Sequence, residues 1–463
     1  MTDSGLMENV TFDELHIGRS AEMTRTLTLP DIQAFAVVSG DHNPAHLDAD
    51  YAQASIFGGV IAHGMWEGAL VSSVLGTAFP GPGTIYLDQT LHFSRPVRVG
   101  DTLTIRLTVT ERDEAKKRVT LDCAVTNQRG EVTLTGVARV LAPTQKISRP
   151  RPTLPRLALV DPQARLQAWI KGLALTGEPA RCAVVHPVDA DAITGAVHAA
   201  EQGVIAPIFI GPLARMQGAA REAGVDLSRW AVEDVPYSHA AAARAAEAAA
   251  AGEVQVLMKG SLHTDELMHA VLAQPALRTG RRMSHVFRFD IPSYAKPLLV
   301  TDAALHVQPT LDDKVDIIAN AVTVARVLGV QRPKVAILAA VETVSAGMPA
   351  TLDAAALCKM ADRGQIKGAL VDGPLAFDNA ISPHAARIKG ITSPVAGDAD
   401  VLVVPDLEAG NVLAKQLEYF AGAAGCGVVA GARVPIALTS RADSAATRSA
   451  SAALAVLLAR AQG

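Results

Sequence analysis

The sequence predicts two structural units in series. The first is an α+β unit in which a sheet wraps around one central helix. The second is an α/β unit with a two-lobed, mostly parallel, doubly wound sheet. Three observations predict this. Residues 1–142 hold a largely apolar helical stretch followed by four long runs that alternate or are rich in β-branched side chains. From residue 158 onward, short apolar runs alternate with amphipathic stretches, the pattern of repeated strand–helix units. Residues 143–156 (PTQKISRPRPTLPR) match neither style, and their prolines and basic side chains predict a stiff, solvated linker.

Composition narrows the function classes. A chain of 463 residues, 49% hydrophobic and 19% charged, has ample material for two or three domains. A formal net charge of −4 gives no broad basic field for nucleic acid, and 4% aromatic residues supply few platforms for stacking bases. No apolar run reaches the ~18 residues of a membrane span. The acidic, polar start MTDSGLMENVTFDEL is unlike a secretory signal. Cys123, Cys182, Cys358 and Cys426 are far apart and form no CxxC. Neither a disulfide framework nor a zinc site is expected, and a cytoplasmic setting is.

In chain order, residues 21–29 read as extended and 29–38 as a helix, with Asp31 in the first turn where a carboxylate suits the helix dipole. GDHNPAH at 40–46 ends that helix, because Asn43 and Pro44 stop the backbone from continuing. A Gly/His loop follows (FGGVIAHGM, 57–65), then the central helix at 65–75. Strands are expected at 83–93, 101–112, 117–127 and 132–141, separated by turns such as VGD (99–101) and NQRGE (127–131). In the second unit, helices are expected at 165–175, 189–203, 212–223, 240–251, 314–328, 351–361 and 411–420. Strands are expected at 182–186, 206–211, 254–258, 298–300, 334–339, 368–371 and 400–404. The glycine-rich AGAAGCG at 421–427 follows an amphipathic helix, with no strand before it. It reads as a helix end with small residues at a packing surface, and not as a dinucleotide loop.

The chemistry of the first unit centres on GDHNPAH. Asp41 and His46 set a carboxylate and an imidazole five positions apart. A water held between them can lose a proton to one while the other supplies one to a substrate. Two other readings stay open. One is a polar turn, with Asp41 capping backbone N–H groups and His46 exposed. The other is metal ligation by His42, His46 and His63, whose spacing fits no standard helix-borne zinc motif.

In the second unit three stretches stand out. KGSLHTDELMH at 259–269 follows a buried strand, so Lys259, His263 and Thr264 flank a strand-to-helix turn that can present N–H groups to an anion. A plain capped helix is the alternative there. DGPLAFDNAIS at 372–382 and AGDADVLVVPDLEAGNVLAK at 396–415 place Asp378 and Asn411 after strands, where ligands sit in such sheets. The last of these continues to LTSRADS at 438–444.

GDHNPAH, followed by AHGM at 62–65 and FSRPVRVGD at 93–101, resembles the MaoC-like (R)-specific enoyl-CoA hydratases of the hot-dog fold, over about residues 10–142. The resemblance implies that Asp41 and His46 activate water for addition across a 2-enoyl thioester and that Asn43 helps hold the loop. It implies that Gly64 offers its backbone N–H to the thioester oxygen, where enolate charge develops. It also implies pairing with a second copy, hence a homo-oligomer that is a dimer or a higher even number.

VDGPLAFDNAIS, VVPDLEAGN and LTSRADS, in this order, resemble the phosphate acetyl/butyryltransferases over about residues 157–463, and look closer to the butyryl-type branch. This implies two lobes, about 157–292 plus 435–463 and about 293–434, with a cleft between them. It implies acyl exchange between CoA and phosphate without a covalent enzyme intermediate or a bound cofactor. Ser440 and Arg441 match the pair that contacts CoA and phosphate, and Arg278 matches a phosphate-side arginine. The chain departs from the acetyl-type pattern at Thr447, where those enzymes carry an aspartate seven residues after the serine; Asp443 lies close by. His306 stands where many relatives have Asn. The expectation is a bifunctional enzyme whose partners are acyl-CoA and inorganic phosphate, with no nucleic acid and no membrane. The alternative keeps the hydratase and makes the second unit a non-catalytic acyl-CoA sensor.

Overall fold

The computed structural model describes residues 5–154, 161–173, 175, 177–440 and 443–462. The chain divides into two compact units, residues 1–159 and 160–463. Among the described residues no helix is long and apolar enough to cross a membrane.

The first unit runs β1 (Leu6–Glu8), β2 (Ser20–Thr26), α1 (Leu29–Ser39), α2 (Pro44–Leu47), α3 (Ala49–Ala54) and α4 (Gly64–Thr77). It continues with β3 (Ile85–Phe93), β4 (Thr102–Asp113), β5 (Arg118–Thr126), β6 (Val132–Leu141) and β7 (Ser148–Pro150). Five strands form an antiparallel sheet in the order β2-β4-β5-β6-β3. Side chains along β4 and β5 alternate, and the buried set packs on α4: Trp66, Val71, Val74 and Leu75 share one core with Leu103, Ile105, Leu107, Leu121 and Leu134. A sheet wrapped on a central helix is the hot-dog arrangement. Asp31 does more than meet the dipole of α1. Its carboxylate accepts the Thr28 N–H at 2.9 Å while the Thr28 hydroxyl accepts the Asp31 N–H at 3.3 Å, a capping box that fixes where the helix starts. Gly40, at φ 75°, ends the helix in the left-handed conformation.

Residues 143–151 differ from the linker expected there. β7 pairs antiparallel with β1. The buried Asn9 side chain donates to Gln145 O at 2.8 Å and to Pro82 O at 3.1 Å, and accepts the Ile147 N–H at 2.9 Å. Lys146 Nζ donates to Asn9 O at 2.6 Å. The segment is a strap tied to the first unit, and Pro150 is tolerated because the two-stranded ribbon is all edge. Residues 155 and 156, the end of the expected linker, lie outside the described residues.

The second unit contains α5 (Pro162–Gly172), β8 (Ala180–Val185), α6 (Ala190–Glu201), β9 (Ile205–Gly211), α7 (Leu213–Ala223), β10 (Ala231–Asp234), α8 (Ser238–Ala250), β11 (Val256–Lys259) and α9 (Thr264–Ala273). Next come β12 (Ser284–Asp290), β13 (Leu298–Thr301), α10 (Leu311–Val327), β14 (Lys334–Leu338), α11 (Pro349–Asp362), β15 (Leu370–Leu375), α12 (Phe377–Ile381) and α13 (Pro383–Ile388). It ends with β16 (Val401–Val403), α14 (Leu407–Tyr419), β17 (Ala424–Ala430), β18 (Ile436–Ala437) and α15 (Ala445–Gln462). One eleven-stranded sheet runs β10-β9-β8-β11-β18-β17-β12-β13-β16-β14-β15. β10, β9, β8, β11 and β18 are mutually parallel, as are β13, β16, β14 and β15. The antiparallel pairings of β17 and β12 join these two blocks, which therefore run in opposite directions.

Two departures from the sequence reading follow. β12 falls in the expected first lobe by sequence, yet it hydrogen-bonds between β17 and β13 of the expected second. The AGAAGCG stretch does pack closely and a helix does end before it, but residues 424–430 are a fully buried strand. A Cβ at Gly425 would meet the Phe289 ring at 2.7 Å, and one at Gly427 would meet the His285 ring at 2.4 Å. The glycines are there because β12 places two rings against β17.

Candidate active sites

In the first unit, the end of α1 and the start of α2 build the site. Asp41 Oδ1 accepts the Asn43 N–H at 3.2 Å, and Asn43 Oδ1 accepts the Ala45 N–H at 3.0 Å. Asn43 therefore holds the turn. Asp41 is exposed and His46 is buried at 9% exposure, so the open turn with an exposed imidazole is not what forms. His46 Nδ1 lies 2.9 Å from Ile61 O. A carbonyl only accepts, so Nδ1 carries the proton and Nε2 of the neutral ring keeps its lone pair. His63 Nε2 donates to Asp41 O at 3.1 Å by the same logic. The two imidazoles lie 3.9 Å apart, centroid to centroid. One ligand-type atom each from Asp41, His46 and His63 lies within 4.8 Å of the others. His42 is exposed and stands outside that cluster, so the three-histidine metal set does not assemble.

His63 is also the residue before α4, and Gly64 is the first residue in it. The first N–H groups of a helix have no intrahelical acceptor and sit at its positive end. A Cβ on Gly64 would lie 3.3 Å from the Phe93 ring, a tight contact that glycine avoids. One turn further, Glu67 is 3% exposed, and Thr133 Oγ lies 2.6 Å from its carboxyl. Burial pushes that carboxyl up to about 7.

The second unit holds a cleft of about 480 Å³ that brings together Lys259, His263, Thr264, Asn411, Ser440 and Asp443. Lys259 ends β11, is 4% exposed, and donates to Thr439 O at 3.4 Å. His263 and Thr264 stand at the start of α9. Asn411 Nδ2 donates to Ala303 O at 3.4 Å, and the neighbouring Gly410 lets α14 approach closely, since a Cβ there would lie 2.9 Å from Asp302 O. Asp443 Oδ2 accepts the Ser440 N–H at 2.8 Å. Buried Arg448 of α15 pins this loop from behind, donating to Asp443 O at 3.2 Å, Ser440 O at 3.1 Å and Thr439 Oγ at 3.1 Å. Burial raises the Asp443 carboxyl, opposed by the Ser440 N–H and the charges of Arg448, Lys415 and Lys259.

Four lining residues with titratable side chains were not singled out by the sequence reading: His285, Lys415, Glu418 and Tyr419. For two of them a signal existed. Asn411, Lys415 and Glu418 are spaced i, i+4, i+7, one face of α14. His285 had none, because β12 itself was not recognised. It is fully buried with no hydrogen-bond partner on either ring nitrogen, and burial pushes it down to about 4, so it is neutral near pH 7.

Two expected site residues lie outside the cleft. Arg278 follows a short turn after α9, is exposed, and donates to Leu272 O at 2.8 Å from Nε. It lines a separate groove with Thr279–Arg282. Asp378 is exposed and pairs with Lys389 at 3.4 Å. The motif around it is architectural: Asn379 O accepts the Gly397 N–H at 2.7 Å, and Ser382 Oγ caps α13. Arg441 lies outside the described residues. Thr447 lines a smaller neighbouring pocket with Glu418 and Asp443. His306 pairs through Nδ1 with Asp302 at 2.7 Å, which raises its basicity.

This fold and cleft match a known class. The phosphate acetyl/butaryl transferase family model matches residues 236–456, and the MaoC like domain model matches residues 14–129. The chain belongs to the phosphate acetyl/butaryl transferase family and carries a MaoC like domain ahead of it. The phosphate acetyltransferase of Rhizobium meliloti is 56% identical over 282 residues, 61% of this chain and 89% of that protein. The structure of a branched-chain phosphotransacylase from Enterococcus faecalis V583 is similar at 30% identity, covering 60% of this chain and 99% of its own, with a TM-score of 0.54. R-Hydratase PhaJ1 from Pseudomonas aeruginosa is similar at 45% identity, covering 33% of this chain and 99% of its own, with a TM-score of 0.33.

Proposed function

We propose that the chain is a bifunctional enzyme of CoA thioesters. The first unit hydrates 2-enoyl-CoA to (R)-3-hydroxyacyl-CoA. The second exchanges an acyl group between CoA and phosphate. The observation that carries the first half is the convergence of Asp41, His46 and His63 in one cluster, with His46 Nδ1 held by the Ile61 carbonyl. A water bound there would lose a proton to one group while the other protonates the substrate, and the Gly64 N–H at the positive end of α4 would stabilise the oxyanion of the enolate. The exposed apolar residues of edge strand β3 (Ile85, Tyr86, Leu87 and Phe93) support pairing of this unit with a second copy.

The observation that carries the second half is the convergence of Lys259, Asn411, Ser440 and Asp443 from distant parts of the chain on one cleft. Lys259, Lys415 and the start of α9 give that cleft a positive side suited to phosphate. The relative at 56% identity is named a phosphate acetyltransferase, which makes acetyl-CoA the first substrate to try, ahead of the butyryl thioester expected from the motifs.

The test measures thiol release from acetyl-CoA and butyryl-CoA, with and without phosphate, on the wild type and on Lys259→Ala and Arg441→Ala. Phosphate-dependent release that collapses in the variants is the expected result. Binding of acyl-CoA with no phosphate-dependent release, while crotonyl-CoA hydration persists, would replace the transferase with the acyl-CoA sensor that Thr447 favours.

A further inference from the structure

We propose that Glu418, with Asp443 as its neighbour, is the group that takes the proton from the CoA thiol in the transferase cleft. This rests on the transferase reading above. Both carboxylates line the cleft, and both also line the smaller adjoining pocket of about 360 Å³, so they form the partition between the two cavities. Glu418 reaches the partition from the last turn of α14, and Asp443 from the loop before α15.

The other titratable groups there are occupied or unsuited. Asp443 Oδ2 is engaged by the Ser440 N–H, and His285 is a neutral ring sealed in the floor. Arg448 spends its donors on the Ser440 loop. Lys259 and Lys415 are cations, and His263 is exposed at the other end of the lining, at the start of α9. The Glu418 carboxylate, by contrast, has no hydrogen bond or ion pair with any described residue. Burial and the Asp443 charge push it up to about 7, against the opposing charge of Lys415. A carboxyl poised there exchanges protons in both directions near neutrality.

In the direction that forms acyl-CoA, the Glu418 carboxylate accepts the thiol proton and the sulfur bonds to the acyl carbon. The bond from that carbon to the phosphate oxygen breaks, its electron pair stays on the phosphate, and the proton passes to the phosphate. The reverse direction returns the proton to the departing thiolate.

The experiment follows the reaction in both directions from pH 5.5 to 9, using the full chain. With acetyl phosphate plus CoA, the wild type is expected to lose rate on the acid side with an apparent pKa near 7; in the reverse direction, where Glu418 must hold the proton, it is expected to lose rate on the alkaline side. Glu418→Gln should lose about 100-fold or more in kcat, show no acid limb, and keep its KM for CoA within about threefold and its Tm unchanged. Glu418→Asp should retain part of the rate with a displaced acid limb. Glu418→Gln within about threefold of wild type, with the same acid limb, would overturn the proposal. So would an acid limb that vanishes in Asp443→Asn but persists in Glu418→Gln. If the Gln variant does not fold, an unchanged acid limb in Glu418→Asp would overturn it alone. An inactive wild type would remove the transferase reading itself, and this inference with it.

Discussion

His46 shows how one hydrogen bond sets a residue's chemistry. The Ile61 carbonyl accepts a hydrogen bond from Nδ1, which leaves Nε2 as the nitrogen with a lone pair to offer. His46→Ala should lower crotonyl-CoA hydration by about 100- to 10,000-fold while leaving phosphate-dependent thiol release intact, a split that assays on one preparation can read. Glu67 makes a second prediction. Its folded carboxyl sits at about 7 against 4.5, so the folded protein keeps a proton that the unfolded chain releases. That part of the stability is complete below about pH 4.5 and is lost as pH rises through 7. Glu67→Gln should flatten the fall of Tm between pH 5 and 7.5 and leave the protein more stable than wild type at pH 8, by about 2 kcal/mol. Residue types in motifs singled out Asp41 and His46, which cluster with His63, and Lys259, Ser440 and Asp443, which line one cleft. Arg278, expected from the resemblance, and Asp378, expected from its place after a strand, lie outside that cleft, because neither signal reveals whether the chain then turns toward it or away.

At the level of elements, the start of α1 and the β-branched alternation were readable, and β3, β4, β5 and β6 lie within a residue or two of expectation. Thr28→Ala should cost about 1 kcal/mol through loss of the α1 cap, measurable by denaturant unfolding. β17 and β12 were not readable. AGCGVVA opens with small residues because it must admit the rings of Phe289 and His285, and small residues carry no strand signal of their own. The requirement lies in the partner strand, which local reading does not see. Gly427→Ala would drive a methyl group into the His285 ring at 2.4 Å. It should destabilise the second unit by about 1–3 kcal/mol and lower transferase activity, while leaving crotonyl-CoA hydration unchanged.

At the level of the molecule, the change from an antiparallel to an alternating style revealed two units, but the strap at 143–151 was hidden by its linker-like composition. A fragment ending at residue 154 should therefore melt several degrees above one ending at 142, since the shorter piece leaves Asn9 buried without its Gln145 and Ile147 partners. The blocks of the large sheet also run in opposite directions, and the last strand to be made, β18, lies between β11 and β17 in its interior. A ribosome that has reached residue 430 has already released everything the first unit needs, yet has left a slot in the middle of the second. The wall carrying Ser440 and Asp443 and the buried helix α15 are still unmade. Synthesis thus completes the two units in a fixed order, the antiparallel one first and the eleven-stranded one only when its interior closing strand arrives.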